Sequence, residues 1–260
     1  MESLESSLDQ LLASVRDGSV SAVDARERLR QLSVADIGFA RLDLQRELRQ
    51  DAPEAVLGAG KTPEEVVAIV RALSEGGAAS VLVTRADYET RAAVKASMPE
   101  AEEHERARAV WIARALPATV GRVVIVSGGT SDGPVLHEAR IRAELLGTEV
   151  VTHQDCGVAG LHRLAPAIED LASADCVVAV AGMDAALASV IGGLARCPVI
   201  GVPTSVGYGS ARGGETALNA MLASCAAGLA VVGIDDGLGA GTIAAMIARS
   251  AGGSQRETPQ

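Results

Sequence analysis

Aromatic side chains are almost absent from this sequence, which contains one Phe, one Trp and two Tyr. Hydrophobic residues still make up 48% of the chain, so aliphatic side chains supply most of the apolar volume, accompanied by 28 Gly. This composition is typical of closely packed helices on an aliphatic sheet and predicts an α/β protein. The length of 260 residues is enough for one large domain, or for a core domain with a smaller companion.

Basic residues are also in short supply: 23 Lys and Arg stand against 33 Asp and Glu, a net charge of -10. Nucleic acids and anionic membrane surfaces bind clustered cations, so this balance argues against both as partners. An anionic small molecule would have to be held by a few placed arginines and by backbone amides.

Two further features are missing. No uninterrupted apolar run reaches the ~18 residues of a membrane span, and the start, "MESLESSLDQ", has no basic region followed by an apolar stretch, so a cytoplasmic location is expected. The four cysteines show no CxxC spacing and no paired histidines, which favours free thiols over zinc ligands or disulfides. Pattern alone favours a core position for all four: Cys156, Cys176, Cys197 and Cys225.

Residues 1–118 are predicted to form a helical and small α/β region. The helices "LDQLLASVRDG" and "SAVDARERLRQL" are followed by "GAGKT", which is a weak match to a phosphate-binding P-loop because Ala55 stands where that motif has its first glycine. A helix start fits better, with Thr62 as N-cap, Pro63 next and Glu65 closing a capping box. "SVLVTRAD" predicts a strand, and "EAEEHERARAVWIARAL" a helix.

Residues 119–250 repeat a regular pattern of apolar runs, "RVVIVS", "TEVVTH", "CVVAVAG", "PVIGVP" and "LAVVGI", separated by helical segments. The pattern predicts a flavodoxin-like, doubly wound parallel sheet in three αβα layers, with a flexible tail over residues 251–260. Two apolar helix stripes should cover the sheet, one of Val135, Ala139, Ala143 and Leu146, the other of Leu161, Leu164, Ile168 and Leu171. Ligands of such sheets bind beyond the carboxyl ends of the strands.

Four loops at that edge carry candidate residues. "SGGTSDGPV" offers several backbone amides to an anion, although Ser131 or Asp132 capping the next helix would explain part of it. "AGMDAALASVIGG" places Asp184 in a first helical turn, where a carboxylate is a base or a cap, and the pattern favours the cap. The long "VPTSVGYGSARGGE" loop contains Tyr208 and Arg212, and "HQDCGVAGLHRL" contains a histidine and an arginine side by side.

These segments also carry a resemblance. "SGGTSDGPV", "GLHRL", "VAGMDAALASVIGGLARCPVIGVPTS" and "AVVGIDDGLGAGTIAA" resemble the aminoimidazole ribonucleotide carboxylase (PurE) superfamily over nearly all of residues 120–248. "FARLDLQRELR", "GAGKTPEEV", "VLVTRAD", "GVAGLHRL", "VPTSVGYGSARGG" and "MLASCAAG" resemble one branch of it, the LarB-type pyridinium-3,5-biscarboxylic acid mononucleotide synthases, and extend the similarity over almost the whole chain.

The resemblance implies an enzyme that adds CO2 to C5 of the pyridinium ring of nicotinic acid adenine dinucleotide and releases AMP, the first step toward a nickel-pincer cofactor. The family's nucleophilic cysteine corresponds to Cys225. Its catalytic carboxylate, commonly a glutamate, corresponds to Asp184, one methylene shorter. A family pattern resembling "DHHR" is present as Asp43, Leu44, Gln45 and Arg46, so no role of the missing histidines carries over.

The same resemblance implies bicarbonate or CO2 as co-substrate and a homo-octamer, and the hydrolysis chemistry leads us to expect Mg²⁺ beside the phosphoanhydride. Together with the loop chemistry it assigns substrate binding to fourteen residues: Ser127, Gly129, Thr130, Ser131, Asp132, His162, Arg163, Gly182, Met183, Ser205, Gly207, Tyr208, Arg212 and Gly213.

Two other functions stay open at this point. A purine-pathway carboxylase or mutase acting on aminoimidazole ribonucleotide uses an already nucleophilic ring carbon, so it needs no thiol and leaves residues 1–118 unexplained. A non-catalytic nucleotide-binding regulator would use the glycine loops for binding alone.

Overall fold

In its described residues, the N-terminal part of the chain forms four helices, a short hairpin and a four-stranded sheet. The structure, a computed structural model, describes residues 4–31, 34–44, 46, 50 and 52–254. The elements of this part are α1 Leu4–Arg16, α2 Ala22–Gln31, β1 Val34–Asp36, β2 Arg41–Asp43, β3 Ala55–Leu57, α3 Pro63–Glu75, β4 Ser80–Thr84, α4 Tyr88–Ser97, β5 Glu102–His104 and β6 Ala109–Ala113.

The four-stranded sheet has the order β3-β4-β6-β5, in which only β3 and β4 are parallel. The connection between them, α3, begins with the predicted capping box: the Glu65 amide donates to the Thr62 hydroxyl, and the Thr62 amide donates to the Glu65 carboxylate. Lys61 donates its ammonium to the Leu57 carbonyl at 2.8 Å. The "GAGKT" segment is therefore a strand-to-helix turn whose lysine is bonded within its own loop.

The helix predicted over residues 100–116 is wrong. This segment forms the antiparallel hairpin of β5 and β6, and the Arg108 amide donates to the Glu105 carbonyl at 2.9 Å across its turn. Val110 and Ile112 are buried against β4, where β-branched side chains pack well on a pleated surface. Pairing with β4 therefore overrides the helical propensity of the Glu, Ala and Arg residues around them.

Residues from 122 onward form the predicted parallel sheet. Its elements are β7 Arg122–Ser127, α5 Gly133–Leu145, β8 Glu149–His153, α6 Ile168–Ser173, β9 Cys176–Ala181, α7 Ala186–Leu194, β10 Val199–Pro203, α8 Glu215–Leu222, β11 Leu229–Val231 and α9 Gly237–Ser254. The strand order is β11-β10-β9-β7-β8 and every pairing is parallel. The flavodoxin-like prediction is confirmed.

Helices cover both faces of this sheet because its strand residues alternate between them. Val123 and Ile125 face α5 and α9, whereas Val124 and Val126 face α6, α7 and α8. The first predicted stripe lies on α5 and its end, with Ala139, Ala143 and Leu146 buried and Val135 half-buried.

The second predicted stripe is only half correct. Leu164 and Leu171 are buried, but Leu161 and Ile168 are 56% and 45% exposed. The chain forms 3-10 turns over Val158–Ala167, with Pro166 inside and a non-helical Gly160, so the 3.6-residue period is lost.

The two parts of the chain pack against each other through α5. Ile141 and Leu145 on this helix lie in one cluster with Leu82 and Ala109 of the four-stranded sheet. Arg142, also on α5 and buried, donates to the Pro53 carbonyl at 3.1 Å. The helix is thus buried between the parallel sheet on one side and the N-terminal sheet on the other.

The end of the chain differs from the prediction. The expected tail over residues 251–260 is helical as far as Ser254, as part of α9, and residues 255–260 lie outside the described part. Among the described helices, none is both long and apolar enough to cross a membrane.

Candidate active site

A cavity of about 390 Å³ opens at the carboxyl edge of the parallel sheet. It is lined by the loops that follow β7, β8, β9 and β10, at the edge where ligands of such sheets bind. The described structure brings eight predicted site residues to its wall: Gly129, Thr130, Ser131, Asp132, Arg163, Gly182, Met183 and Asp184. The cavity is therefore the candidate active site.

The loop after β7 passes directly into the start of α5. Gly128 and Gly129 are followed by a 3-10 turn over Thr130–Asp132. The loop after β8 packs closely against this loop, because a Cβ atom on Gly157 would lie only 2.7 Å from the Gly128 carbonyl oxygen. Backbone amides at the start of a helix favour anions. Ser127 is fully buried beneath this loop and does not line the cavity.

Asp132 braces three of the loops. Its carboxylate accepts the Thr204 hydroxyl at 2.6 Å and the Gly129 amide at 2.7 Å, and it also accepts the Gly182 amide. Burial raises the pKa of Asp132, and these hydrogen bonds oppose that shift. Only 3% of the residue is exposed, so we assign it a positioning role rather than the direct ligand contact expected from the sequence.

Asp184 differs from Asp132 although both line the same cavity. Asp184 is exposed, and its Oδ1 accepts the Ala186 amide at 3.3 Å, where α7 begins. Met183 and Ala185 on either side of it have φ values of 56° and 52°. Residues other than glycine rarely adopt this left-handed backbone conformation, so the turn that carries Asp184 is held by its surroundings.

The loop after β8 contributes an ion pair. Arg163 lies 2.8 Å from the Asp155 carboxylate and donates to the Gly157 carbonyl at 3.1 Å. Arg163 thus both lines the cavity and holds the loop. His162 is exposed and lies outside the cavity wall.

The long loop after β10 reaches the cavity only through Val206. Gly207 adjoins the wall, because a Cβ atom there would lie 3.3 Å from the Met183 sulfur. The remaining predicted residues of this loop, Tyr208, Arg212 and Gly213, do not line the cavity, and Tyr208 is 81% exposed.

Cys225 is not brought into the cavity by the single chain. It follows α8 and precedes β11, and a helix that connects parallel strands returns the chain to their amino edge, opposite the cavity. The neighbouring Ser224 is hydrogen-bonded to Ser189 of α7 at 2.8 Å. Cys225 is exposed, so the core position favoured by pattern alone is wrong for it.

The other three cysteines are less accessible. Cys156 and Cys176 are buried, and Cys197 is half-buried. Burial raises the pKa of all three thiols, that of Cys176 to about 12. Cys225 is thus the one exposed thiol among the four.

A second cavity, of about 250 Å³, adjoins the first and shares Ser131 and Val206 with it. Its other walls include the predicted Ser205 and two arginines from the N-terminal sheet that sequence reasoning missed, Arg85 and Arg108. A backbone signal marks both cavities. Seven non-glycine residues with positive φ occur in the described part, and six of them line one or other cavity: Arg85, Arg108, Asp155, Met183, Ala185 and Asp235.

Comparison of the sequence with known proteins shows the family to which this chain belongs. Residues 34–114 match a LarB/PurE-like N-terminal domain, and residues 122–257 match AIR carboxylase. The chain belongs to the LarB family, which is related to PurE. It is also similar to "Uncharacterized protein MJ0165" of Methanocaldococcus jannaschii, with 35% identity over 251 residues that cover 93% of this chain and 97% of that protein. The two domains of this LarB family member indicate a carboxylase-type enzyme.

Mg²⁺ is the metal expected beside the phosphoanhydride. Within residues 4–31, 34–44, 46, 50 and 52–254, no group of three or more His, Cys, Asp or Glu side chains is arranged to hold a metal ion. Mg²⁺ is often bound through one or two carboxylates plus substrate phosphates. Mg²⁺ beside the phosphoanhydride therefore stays a prediction.

Proposed function

We propose that this chain carboxylates C5 of the pyridinium ring of nicotinic acid adenine dinucleotide and hydrolyses the phosphoanhydride. The products are AMP and pyridinium-3,5-biscarboxylic acid mononucleotide, a precursor of a nickel-pincer nucleotide. The observation that carries the proposal is the pairing of a LarB/PurE-like N-terminal domain with a carboxylase domain whose sheet edge holds a glycine loop and an exposed carboxylate.

The chemistry explains the need for a thiol. A pyridinium ring is electron-poor and does not attack CO2, but a thiolate that adds to the ring converts it to a dihydropyridine with a nucleophilic enamine carbon at C5. That carbon forms the new C–C bond to CO2. Removal of the C5 proton and loss of the thiolate then restore the aromatic ring, so the thiol is regenerated. Cys225 suits this role because it is exposed.

Asp184 is the group proposed to take the C5 proton. It lines the cavity just before α7 begins at Ala186, close to the positive end of the helix dipole, which stabilises an anionic carboxylate. Asp132 is unsuited to the task because its oxygens already accept hydrogen bonds from three loops. Water attack on the phosphoanhydride, which breaks a P–O bond and releases AMP, follows at the same sheet edge.

Cys225 and Asp184 do not share a cavity within one chain, so the proposal requires more than one copy. The thiol of one protomer would reach the cavity of its partner across a subunit interface, as in a homo-oligomer. Large apolar side chains on this side of the sheet are consistent with such an interface, since Leu194 and Leu222 are 46% and 65% exposed.

The proposal is tested by intact-mass measurement with nicotinic acid adenine dinucleotide and bicarbonate. We expect a covalent adduct, AMP and a dicarboxylated mononucleotide from the wild type. Cys225→Ser should fold and bind the dinucleotide but form neither the adduct nor the carboxylated product, because a hydroxyl is a far weaker nucleophile at neutral pH. Cys197→Ser, which removes a half-buried thiol elsewhere, is the matched control and should remain active.

Turnover by Cys225→Ser at the wild-type rate would contradict the covalent mechanism. Carboxylation of aminoimidazole ribonucleotide in place of the dinucleotide would identify a purine-pathway carboxylase instead. Dinucleotide binding without any AMP release or carboxylation would favour a non-catalytic regulator.

A further inference from the structure

The second cavity lies where the N-terminal sheet meets the edge of the parallel sheet. Register pairs Val83 of β4 with Val110 of β6, and the same register, continued by two residues, sets Arg85 opposite Arg108. The Ala86 amide donates to the Arg108 carbonyl at 2.8 Å, which fixes the two arginine-bearing loops side by side. Both arginines line the cavity.

Two guanidinium groups placed side by side in this way favour the binding of an anion between them. Like charges directly opposite each other on neighbouring strands repel. Both residues are also held in the left-handed region, with φ values of 52° and 51°. Backbone strain of this kind is retained where the surroundings fix it, and it clusters at ligand sites.

The carboxylates of the same cavity are already bonded to protein groups. Asp235 accepts the Ser205 amide at 2.8 Å, and Glu138 accepts the Thr84 hydroxyl and the Leu238 amide. Arg85 donates one bond to the Asp235 carbonyl at 2.6 Å, and its Nε lies 3.7 Å from the Glu138 carboxylate, which leaves other donors of its five. Among the described residues, no hydrogen bond or ion pair involves the Arg108 guanidinium, and the Asp87 carboxylate lies near enough for the two charges to attract each other.

The second cavity adjoins the first, with Ser131 and Val206 in the walls of both. At about 250 Å³ it is smaller than the ~300–1,000 Å³ of ordinary small-molecule pockets, but the two cavities taken together fall within that range. Arg106, on the same hairpin turn as Arg108, donates to the Thr130 carbonyl and so joins this turn to the glycine loop of the first cavity. A ligand with two adjacent phosphates could therefore span both.

We propose that Arg85 and Arg108 form a second phosphate subsite, which holds the AMP-side phosphate of a dinucleotide whose other phosphate lies on the glycine loop at Gly129 and Thr130. The identity of the ligand rests on the proposed function. The subsite gives the N-terminal domain a task in substrate choice: it distinguishes a dinucleotide from a mononucleotide, because only the dinucleotide extends into the second cavity.

The test is calorimetric titration of the full chain with three probes: nicotinic acid adenine dinucleotide, nicotinic acid mononucleotide and AMP. Arg108→Met should weaken dinucleotide binding by about tenfold or more, the loss expected for one charge-assisted hydrogen bond. Mononucleotide affinity should stay as in the wild type. Arg85→Met should act in the same direction, with thermal unfolding measured alongside because Arg85 also contacts Asp235. Arg71→Met removes one charge from the exposed surface of α3 and is the control.

Equal weakening of the dinucleotide and the mononucleotide by Arg108→Met, or no weakening of either, would overturn the subsite. If the wild type binds the mononucleotide but not the dinucleotide, the proposed function fails by itself and AMP becomes the deciding probe. AMP binding that depends on Arg108 then supports the subsite, whereas AMP binding that is absent or independent of Arg108 overturns it.

Discussion

Replacement of Asp132 by Ala should damage the fold far more than replacement of Asp184, although both aspartates line the same cavity. Asp132 is 3% exposed and receives hydrogen bonds from Thr204, Gly129 and Gly182, which lie on three different loops. Asp184 is exposed and accepts one long bond from Ala186. Comparison of the two variants therefore distinguishes an aspartate that holds the loops of the cavity together from one that is exposed to a bound ligand.

The size of the effect follows from the partners left behind. Asp132→Ala leaves the Thr204 hydroxyl, which has no exposure, without its acceptor, and it frees two backbone amides. A buried group deprived of its partner costs about 1–3 kcal/mol, and removal of one side of a buried charged network costs about 3–5 kcal/mol. We expect Asp132→Ala to lower the free energy of unfolding by about 3–5 kcal/mol, and Thr204→Val, which removes one donor, by about 1–2 kcal/mol.

Urea unfolding followed by far-UV circular dichroism measures both quantities, because the signal comes from the helices and strands of the whole chain. Asp184→Ala is the matched control and should stay within about 0.5 kcal/mol of wild type, as an exposed substitution does. An Asp132→Ala variant as stable as the Asp184→Ala control would refute the bracing role.

Three further outcomes are expected. Asp184→Asn should bind the dinucleotide yet lose carboxylation by about 10²–10⁴-fold, because an amide cannot accept the ring proton, and full activity would show that the carboxylate is only a cap. Co-expression of Cys225→Ser with Asp184→Asn should restore about a quarter of wild-type activity if each site draws on two protomers of a symmetric pair, and absence of recovery would place both groups in one chain. Burial, and then the charges of His104, Arg140 and Arg106, lowers the pKa of His137 to about 4. The unfolded chain therefore binds a proton at higher pH than the folded chain does, so the free energy of unfolding should fall as the pH drops from 6.5 toward 4. His137→Phe should reduce that fall, as measured by urea titrations at each pH.

The parallel sheet could be predicted because its signals are local. Its strands are apolar runs that alternate along the chain with segments of helical periodicity. In β7, for example, Val123, Val124 and Ile125 are all apolar because both faces of the strand are covered by helices. The capping box at Thr62 was predictable for the same reason, since all of its parts lie within four residues.

The hairpin of β5 and β6 was not predictable from its own residues. The Glu, Ala and Arg side chains of residues 100–109 favour a helix, and the pairing of Val110 with Val83 of β4 is a contact distant in sequence. The same error concealed the second cavity, because a helix over residues 100–116 does not predict the turn in which Arg106 contacts the glycine loop and Arg108 lines the cavity.

The candidate site was predictable in its location but not in the separate tasks of its residues. Loop position predicts that Gly129, Thr130 and Asp184 meet at one edge of the sheet, and all three line the cavity there. The sequence of a loop does not show which of its side chains are buried. The buried Asp132 and the exposed Tyr208 are therefore both predicted to contact the substrate. The placement of Cys225 at the opposite edge depends on the direction in which α8 returns the chain.

The burial of α5 between two sheets has a consequence for biosynthesis. The N-terminal sheet is translated first, but the face that carries Leu82 and Ala109 stays uncovered until Ile141 and Leu145 have left the ribosome. The nascent N-terminal unit therefore depends on a helix that belongs to the next domain. A truncation that ends near residue 118 would leave this apolar face open to solvent, and one that begins there would do the same to α5, so neither half is a suitable fragment for expression.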